Sequence, residues 1–280
     1  MSNESCERCY KRRYEIAVEA DFAKAHLCPQ CATTCSICKN ERIVWRQDPK
    51  GYEIAHPCEC QKLLQRIERF NATRIPARYV QCTLTTFEDL GGNQRDIHQR
   101  VQKHVDGFRP GNPGLLISGQ VGTGKTHLLV AILTELALEG GFRTRFVEFT
   151  HLLGEIKEEF NLGKNEAEVL GPVSRIPVLG VDELGKGLLT EWQLSILDEI
   201  VSRRYNQGLT TYFTTNIPLD RELTDEKSGT DSLKRRRALE AVTLSERVGE
   251  RIFSRLHQMC VFLTVKGSDA RRGERKAEGW

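Results

Sequence analysis

The sequence predicts an α/β fold with a parallel central sheet, preceded by a small cysteine-rich module. Three observations carry this. From about Pro113 onward, short apolar runs alternate with amphipathic stretches, the pattern of strand–helix–strand units joined by right-handed crossovers. A glycine-rich turn separates the first of these runs from the helix after it. Eight of the ten cysteines fall within the first sixty residues, where apolar periodicity is weak.

The elements follow in order. Gln61–Ala72 reads as a helix, with Leu63, Leu64, Ile67 and Phe70 at helical spacing. Leu115–Ser118 is a buried strand, followed by a helix from about Lys125 to Glu139 that Gly140 and Gly141 stop. Arg145–Phe149 is the next strand, and a helix starts near Thr150 with Leu152, Leu153, Ile156 and Phe160 on one stripe, which reads as core. Pro177–Val181 is a third strand. Thr190 and Gln193 then form a capping-box pattern, opening a helix expected to turn Trp192, Ile196, Leu197, Ile200 and Val201 inward. Thr210–Thr214 and Cys260–Val265 supply two more strands. In such sheets ligands sit at the carboxyl ends of the strands.

Composition excludes several classes. Of 280 residues, 39% are hydrophobic and 28% charged, an ordinary globular balance. The net charge of +3 does not mark a nucleic-acid binder, so any such contact must come from local clusters. No apolar run approaches the roughly 18 residues that cross a bilayer, and the first residues lack a secretory stretch. A cytoplasmic protein is expected.

Gly119-Gln120-Val121-Gly122-Thr123-Gly124-Lys125-Thr126 fits G-x-x-x-x-G-K-[ST] in full, between an apolar strand and a helix. Glycines let the backbone wrap phosphates, and main-chain N–H groups with the helix dipole hold the charge. Lys125 is placed to reach the β- and γ-phosphates and Thr126 to ligate Mg²⁺; His127 completes the nucleotide-contacting set. Pro177–Val181 runs into Asp182 and Glu183. Asp182 at a strand tip suits Mg²⁺, and Glu183 suits orienting the attacking water. Asp182-Glu183-Leu184-Gly185 also fits a GTPase pattern, but no Asn-Lys-x-Asp guanine-reading motif follows. ATP is therefore the expected nucleotide. Asn216, closing the strand Thr210–Thr214, is placed to contact the γ-phosphate or the water. Arg251 and Arg255 share a helix face, as a trans-acting arginine or a solvated basic surface would.

The cysteines fall as Cys6-x2-Cys9, Cys28-x2-Cys31, Cys35-x2-Cys38 and Cys58-x-Cys60. Four close pairs suit two tetrahedral Cys₄ zinc sites; an iron–sulfur cluster is the alternative for thiolate sets. Pairing can be consecutive or interleaved. His26 and His56 lie nearby but are not needed as ligands. Cys82 and Cys260 read as small buried hydrophobes. Lys11, Arg12, Arg13, Arg42, Trp45, Arg46 and Tyr52 mix basic and aromatic residues, as a single-strand or partner surface does; Trp45 and Tyr52 are expected mainly as the module's small core.

As a set, Ile75-Pro76-x-Arg78-Tyr79, the glycine-rich loop, Asp182-Glu183, Thr214-Thr215-Asn216 and Gly249-Glu250-Arg251-x-x-x-Arg255-Leu256 resemble the DnaC/DnaI/IstB group, bacterial helicase loaders and transposition helper ATPases of the AAA+ class. The likeness spans about residues 73–266. It implies an AAA+ P-loop NTPase sheet, with Lys125 and Thr126 as Walker A, Asp182 and Glu183 as Walker B, Asn216 as sensor I, Arg255 as arginine finger and Arg251 as a second trans contact. The helix from Thr150 corresponds to the element by which loaders shape their filament and touch single-stranded DNA. The resemblance favours consecutive cysteine pairing, because the second quartet looks like the zinc region before the ATPase of many loaders.

Two departures stand out. Few residues follow Lys266, so no C-terminal helical lid is expected and turnover alone should be slow. The stretch between Pro218 and Ser245 is long and carries Lys234-Arg235-Arg236-Arg237. The resulting expectation is a zinc-binding, partner- or DNA-docking module over residues 1–72 and an AAA+ ATPase domain over 73–280. The chain would form a homo-oligomer with ATP at its interfaces and load a DnaB-type replicative helicase on single-stranded DNA. A transposition helper on duplex DNA, or a nucleotide-switched adaptor with negligible turnover, are the alternatives.

Overall fold

The computed structural model describes residues 6–32, 34–219 and 242–270. The first stretch holds two antiparallel hairpins, β1 (Tyr14–Glu19) with β2 (Phe22–Leu27) and β3 (Ile43–Gln47) with β4 (Glu53–Pro57). Sequence periodicity does not reveal them. Helix α1 (Glu59–Ala72) follows directly, with Cys58 at its N-cap position.

The main sheet has five strands, β5 (Gly114–Gly119), β6 (Thr144–Glu148), β7 (Val178–Asp182), β8 (Thr210–Thr215) and β9 (Cys260–Val265), in the order β6-β7-β8-β5-β9. Every pairing is parallel, as the alternation predicts. Helices cover both faces: α2 (Gln94–Asp106) and α3 (Lys125–Leu138) lie with α1 on one side, and α4 (Phe149–Asn161), α5 (Glu166–Ser174), α6 (Glu191–Asn206), α7 (Leu244–Val248) and α8 (Glu250–Met259) on the other. Helix α3 is apolar almost all round because it is enclosed by the sheet, α1 and α2. Helices α2, α5 and α7 are additions to the elements expected from periodicity. Helix α5 nonetheless carries its own signal, a capping box between Asn165 and Glu168.

The amino-terminal module is not separate from the sheet's core. Tyr14, Ala23, Ala25, Ile67 and Phe70 belong to the same buried cluster as Leu129, Leu133 and Ile117. The Tyr14 hydroxyl donates to Glu139 at 2.6 Å. Asn71 clamps β2 through its amide, accepting from the Ala25 N–H at 2.7 Å and donating to the Ala25 carbonyl at 3.0 Å. Phe22 bridges Pro76 in antiparallel fashion, and the Ala23 N–H donates to the Ile75 carbonyl. The first hairpin therefore continues into the segment that leads to the main sheet.

Three aromatic residues lie elsewhere than expected. Trp45 is 59% exposed and Tyr52 69% exposed, so neither forms a core. A two-stranded ribbon with nothing stacked on it cannot bury large side chains; of its apolar residues, Val44 packs against the cysteines instead. Trp192 is also 39% exposed. It occupies the first turn of α6, before the helix reaches the sheet, whereas Ile196, Leu197, Ile200 and Val201 are buried as predicted. Cys260 is buried and Cys82 half-buried against the core. Helix α6 also buries Arg204 completely. Its guanidinium donates to the carbonyls of Val173, Ile176 and Thr210 and to the Thr211 hydroxyl, which offsets its desolvation. Burial still lowers its pKa to about 9.

Candidate nucleotide site and metal centres

The glycine-rich loop runs from the end of β5 to the start of α3. Gly124 has φ of 86°, and a Cβ there would lie 2.7 Å from the Phe87 ring. At Gly119 a Cβ would lie 2.4 Å from the Val265 carbonyl oxygen. Both positions need glycine for conformation and for space. Within the loop, the ammonium of Lys125 donates to the Gln120 carbonyl at 2.7 Å, and the Thr123 hydroxyl donates to the same oxygen at 2.9 Å. Gln94 supports the loop from α2, its amide donating to the Thr123 carbonyl.

Asp182 ends β7 and is buried. The Thr126 hydroxyl donates to its carboxylate, with oxygen separations of 2.9 and 3.1 Å, and the Thr214 hydroxyl donates to it from β8. Burial raises the Asp182 pKa; the hydrogen bonds from Thr214 and Thr126 oppose that, while the Glu183 and Glu148 charges add to it. Glu183 has a left-handed backbone, φ 57°. Its N–H donates to the Thr214 hydroxyl at 3.0 Å, and its carboxylate pairs with Lys186. Thr214 thus ties both acids to the neighbouring strand, a role its place in the Thr214-Thr215-Asn216 motif could have suggested. Asn216 is exposed at the end of β8 and lines a hollow of about 650 Å³ with Ser118, Gly119, Gln120 and Thr123. The loop, both acids and Asn216 are thus gathered at the carboxyl ends of the strands.

Val121 is exposed on the loop, while Gly122 lies against Asp269. The His127 ring Nε2 lies 2.8 Å from the Thr83 carbonyl and its edge meets Phe87, so it braces segment 83–87. Burial lowers its pKa. Arg255 and Arg251 both reach Asp198 on α6, at 2.7 and 3.6 Å. Neither Asp198 nor Lys186 stands out in the sequence; each is an ordinary surface residue until its partner is brought to it. The basic run Lys234–Arg237 and the residues after Ala270, on which the absence of a helical lid was expected, lie outside the described residues.

The eight amino-terminal cysteines assemble in two quartets, Cys6, Cys9, Cys28 and Cys31, then Cys35, Cys38, Cys58 and Cys60. Within each, all sulfurs lie within 4.8 Å of one another. Separations include 3.8 Å for Cys6–Cys28 and 3.3 Å for Cys9–Cys31, and 3.7 Å for Cys35–Cys58 and 3.3 Å for Cys38–Cys60. A tetrahedral zinc with Zn–S of about 2.3 Å places its sulfurs about 3.8 Å apart, so both quartets fit such an ion. The grouping is consecutive, and His26 and His56 take no part in either.

A family model described as IstB-like ATP binding protein matches residues 61–235. The replicative helicase loader DnaC of Escherichia coli (strain K12) is 24% identical over 181 residues, 64% of this chain and 74% of that protein. The replicative helicase loader DnaI of Bacillus subtilis (strain 168) is 32% identical over 108 residues, 38% of this chain and 34% of that protein. Among solved structures, the DnaC helicase loader superposes with a TM-score of 0.56 at 29% identity, covering 68% of this chain and 99% of that one. Through its glycine-rich loop, its parallel sheet and this match, the chain belongs to the family of IstB-like ATP binding proteins and has the AAA+ fold.

Proposed function

We propose that the chain binds and hydrolyses ATP between subunits and uses that cycle to load or remodel a replicative helicase on single-stranded DNA. The observation that carries the catalytic half is the Thr126–Asp182–Thr214 arrangement with Glu183 beside it. Thr126 and Asp182 offer adjacent hard oxygen donors, which suit Mg²⁺; bound there, the ion would screen phosphate charge. Lys125 leaves the Gln120 carbonyl to meet the β- and γ-phosphates. Glu183 orients the attacking water and Asn216 contacts it or the γ-phosphate. Arg255 of one subunit, with Arg251, reaches the nucleotide of the next and stabilises transition-state charge.

Residues 1–72 serve as the docking module for a DnaB-type helicase, and residues 73–280 as the ATPase. The two zinc ions would supply structural cross-links to a segment with little apolar core. The loader reading rests on similarity to DnaC and DnaI, and it implies a cytoplasmic protein; among the described residues no helix is long and apolar enough to cross a membrane. Co-elution of the purified chain with the host's replicative helicase, with and without ATP, on a light-scattering column tests it. A complex that depends on residues 1–72 is the expected result, and its absence in every nucleotide state would sink the loader reading.

The family match favours a second reading, a transposition helper that binds duplex DNA and recruits a transposase. Filament formation on duplex DNA without helicase binding would select it.

A further inference from the structure

A second hollow lies at the opposite end of the sheet from the nucleotide site. It measures about 530 Å³ and sits where α1 passes the edge strand β6, with the end of α5 forming its far wall. Thr144, the first residue of β6, is in its lining, whereas the glycine-rich loop, Asp182 and Asn216 all stand at carboxyl ends.

Its polar lining is dominated by arginine. Arg69 comes from α1, and Arg143 and Arg145 from the start of β6, against Glu68 as the one acid. Arg69 donates to the Gly141 carbonyl and is held in place. The Arg143 and Arg145 guanidinia make no hydrogen bond or ion pair with any described residue. Arg145 is half-buried, and burial followed by the Arg74 charge lowers its pKa, with Glu155 opposing. A partly desolvated guanidinium facing other arginines is an electrostatic debit that a bound anion removes.

The basic residues form a line as well as a socket. Arg66 approaches Gly141 beside Arg69, so α1 extends the row beyond the hollow, and the Arg74 guanidinium, over the Phe22 ring, is near enough for its charge to act on Arg145. A row matches a repeating anion better than an isolated one, and planar guanidinium suits phosphate in bidentate geometry. We propose that this groove between α1 and β6 binds the phosphate backbone of a nucleic-acid strand, at a site separate from the nucleotide-binding loop. It runs along the seam between the cysteine module and the sheet, so a strand held there touches both.

The test is fluorescence anisotropy of the full-length chain with a labelled oligothymidine, between 50 and 200 mM salt. In Arg143→Gln/Arg145→Gln, binding should weaken about 10-fold or more and the salt slope should fall by about 1–2, one for each phosphate no longer neutralised. Affinity for a fluorescent ATP analogue should stay as in the unaltered chain, and the melting temperature should not fall, since the variant removes charge from a cluster of arginines. The charge-matched control Arg95→Gln/Arg100→Gln, on the exposed face of α2, should leave binding within about twofold. Unchanged affinity and slope in the first variant overturn the proposal. So does an equal loss in the control, or no oligonucleotide binding by the unaltered chain. None of these outcomes depends on hydrolysis or on a helicase.

Discussion

The Arg255 guanidinium donates to the Asp198 carboxylate at 2.7 Å, and Arg251 stands 3.6 Å from the second oxygen of the same group. One acid on α6 therefore holds both arginines of α8 that the motif assigns to a neighbouring subunit's nucleotide. The closer contact orients Arg255, whose side chain is 22% exposed, whereas Arg251 is 74% exposed and only loosely paired.

If Arg255 acts in trans, Arg255→Ala should cut turnover of the assembled protein by about 10³-fold, the lower range for an arginine finger. ATP affinity of the isolated chain should not change. Mixing Arg255→Ala subunits with Glu183→Gln subunits should restore phosphate release at interfaces that pair an intact Glu183 with an intact Arg255. A mixture as inactive as its components would show that the arginine acts within its own chain.

Asp182 provides a stability test with a definite sign. Its folded pKa is raised, chiefly by burial, so the folded state holds its proton to higher pH than the unfolded chain. Stability from this group is full below the unfolded carboxylate pKa and falls as pH rises towards the folded value. Asp182→Asn should therefore melt higher than the unaltered chain at pH 8, by about 2–4 °C for each kcal/mol relieved, and the gap should narrow under acid. The same variant should lose magnesium-dependent hydrolysis. A lower melting temperature at pH 8 would contradict burial as the dominant cause.

The proposed water-orienting carboxylate of Glu183 is held in an ion pair by Lys186, three residues on. Lys186 is largely exposed, and such pairs contribute about 0.2–1 kcal/mol. Lys186→Ala should accordingly raise basal phosphate release no more than about fivefold, with the melting temperature lowered by no more than about 4 °C. A drop in turnover would instead make Lys186 a participant in the reaction.

Metal analysis should find about two zinc ions per chain; an iron-coloured protein would overturn that assignment. The two quartets should differ in their effect on the domain built on the main sheet. The first closes the β1–β2 hairpin, whose Tyr14, Ala23 and Ala25 pack in the core that contains α3. The second closes β3–β4, which is exposed on both faces apart from Val44. Cys28→Ser should therefore lower the main melting transition by several degrees, while Cys38→Ser should leave it nearly in place. Equal shifts would mean that the module behaves as a single unit.

Much of the fold and of the site is readable along the chain because it is locally encoded. The turn at Gly119–Thr126 needs its glycines for backbone shape, and the five strands announce themselves as short apolar runs between helices. Asp182 and Glu183 follow from their place at a strand tip, and the cysteine spacing sets out two candidate metal sites. What the chain could not show depends on segments distant in sequence. The consecutive grouping of the cysteines required the hairpins to form. Asn71 clamping β2, and Tyr14 meeting Glu139 across 125 positions, weld the module to α3, which no periodicity encodes. Trp45 and Tyr52 have core chemistry, yet they lie exposed, and Trp192 is only partly covered; their burial depends on how other elements dock. The sequence alone determined which backbone could cradle a phosphate. Only tertiary structure decided that Asp198 would hold Arg255, that Lys186 would hold Glu183, and that arginines from α1 and β6 would share one groove, because side-chain pairing depends on how whole elements dock.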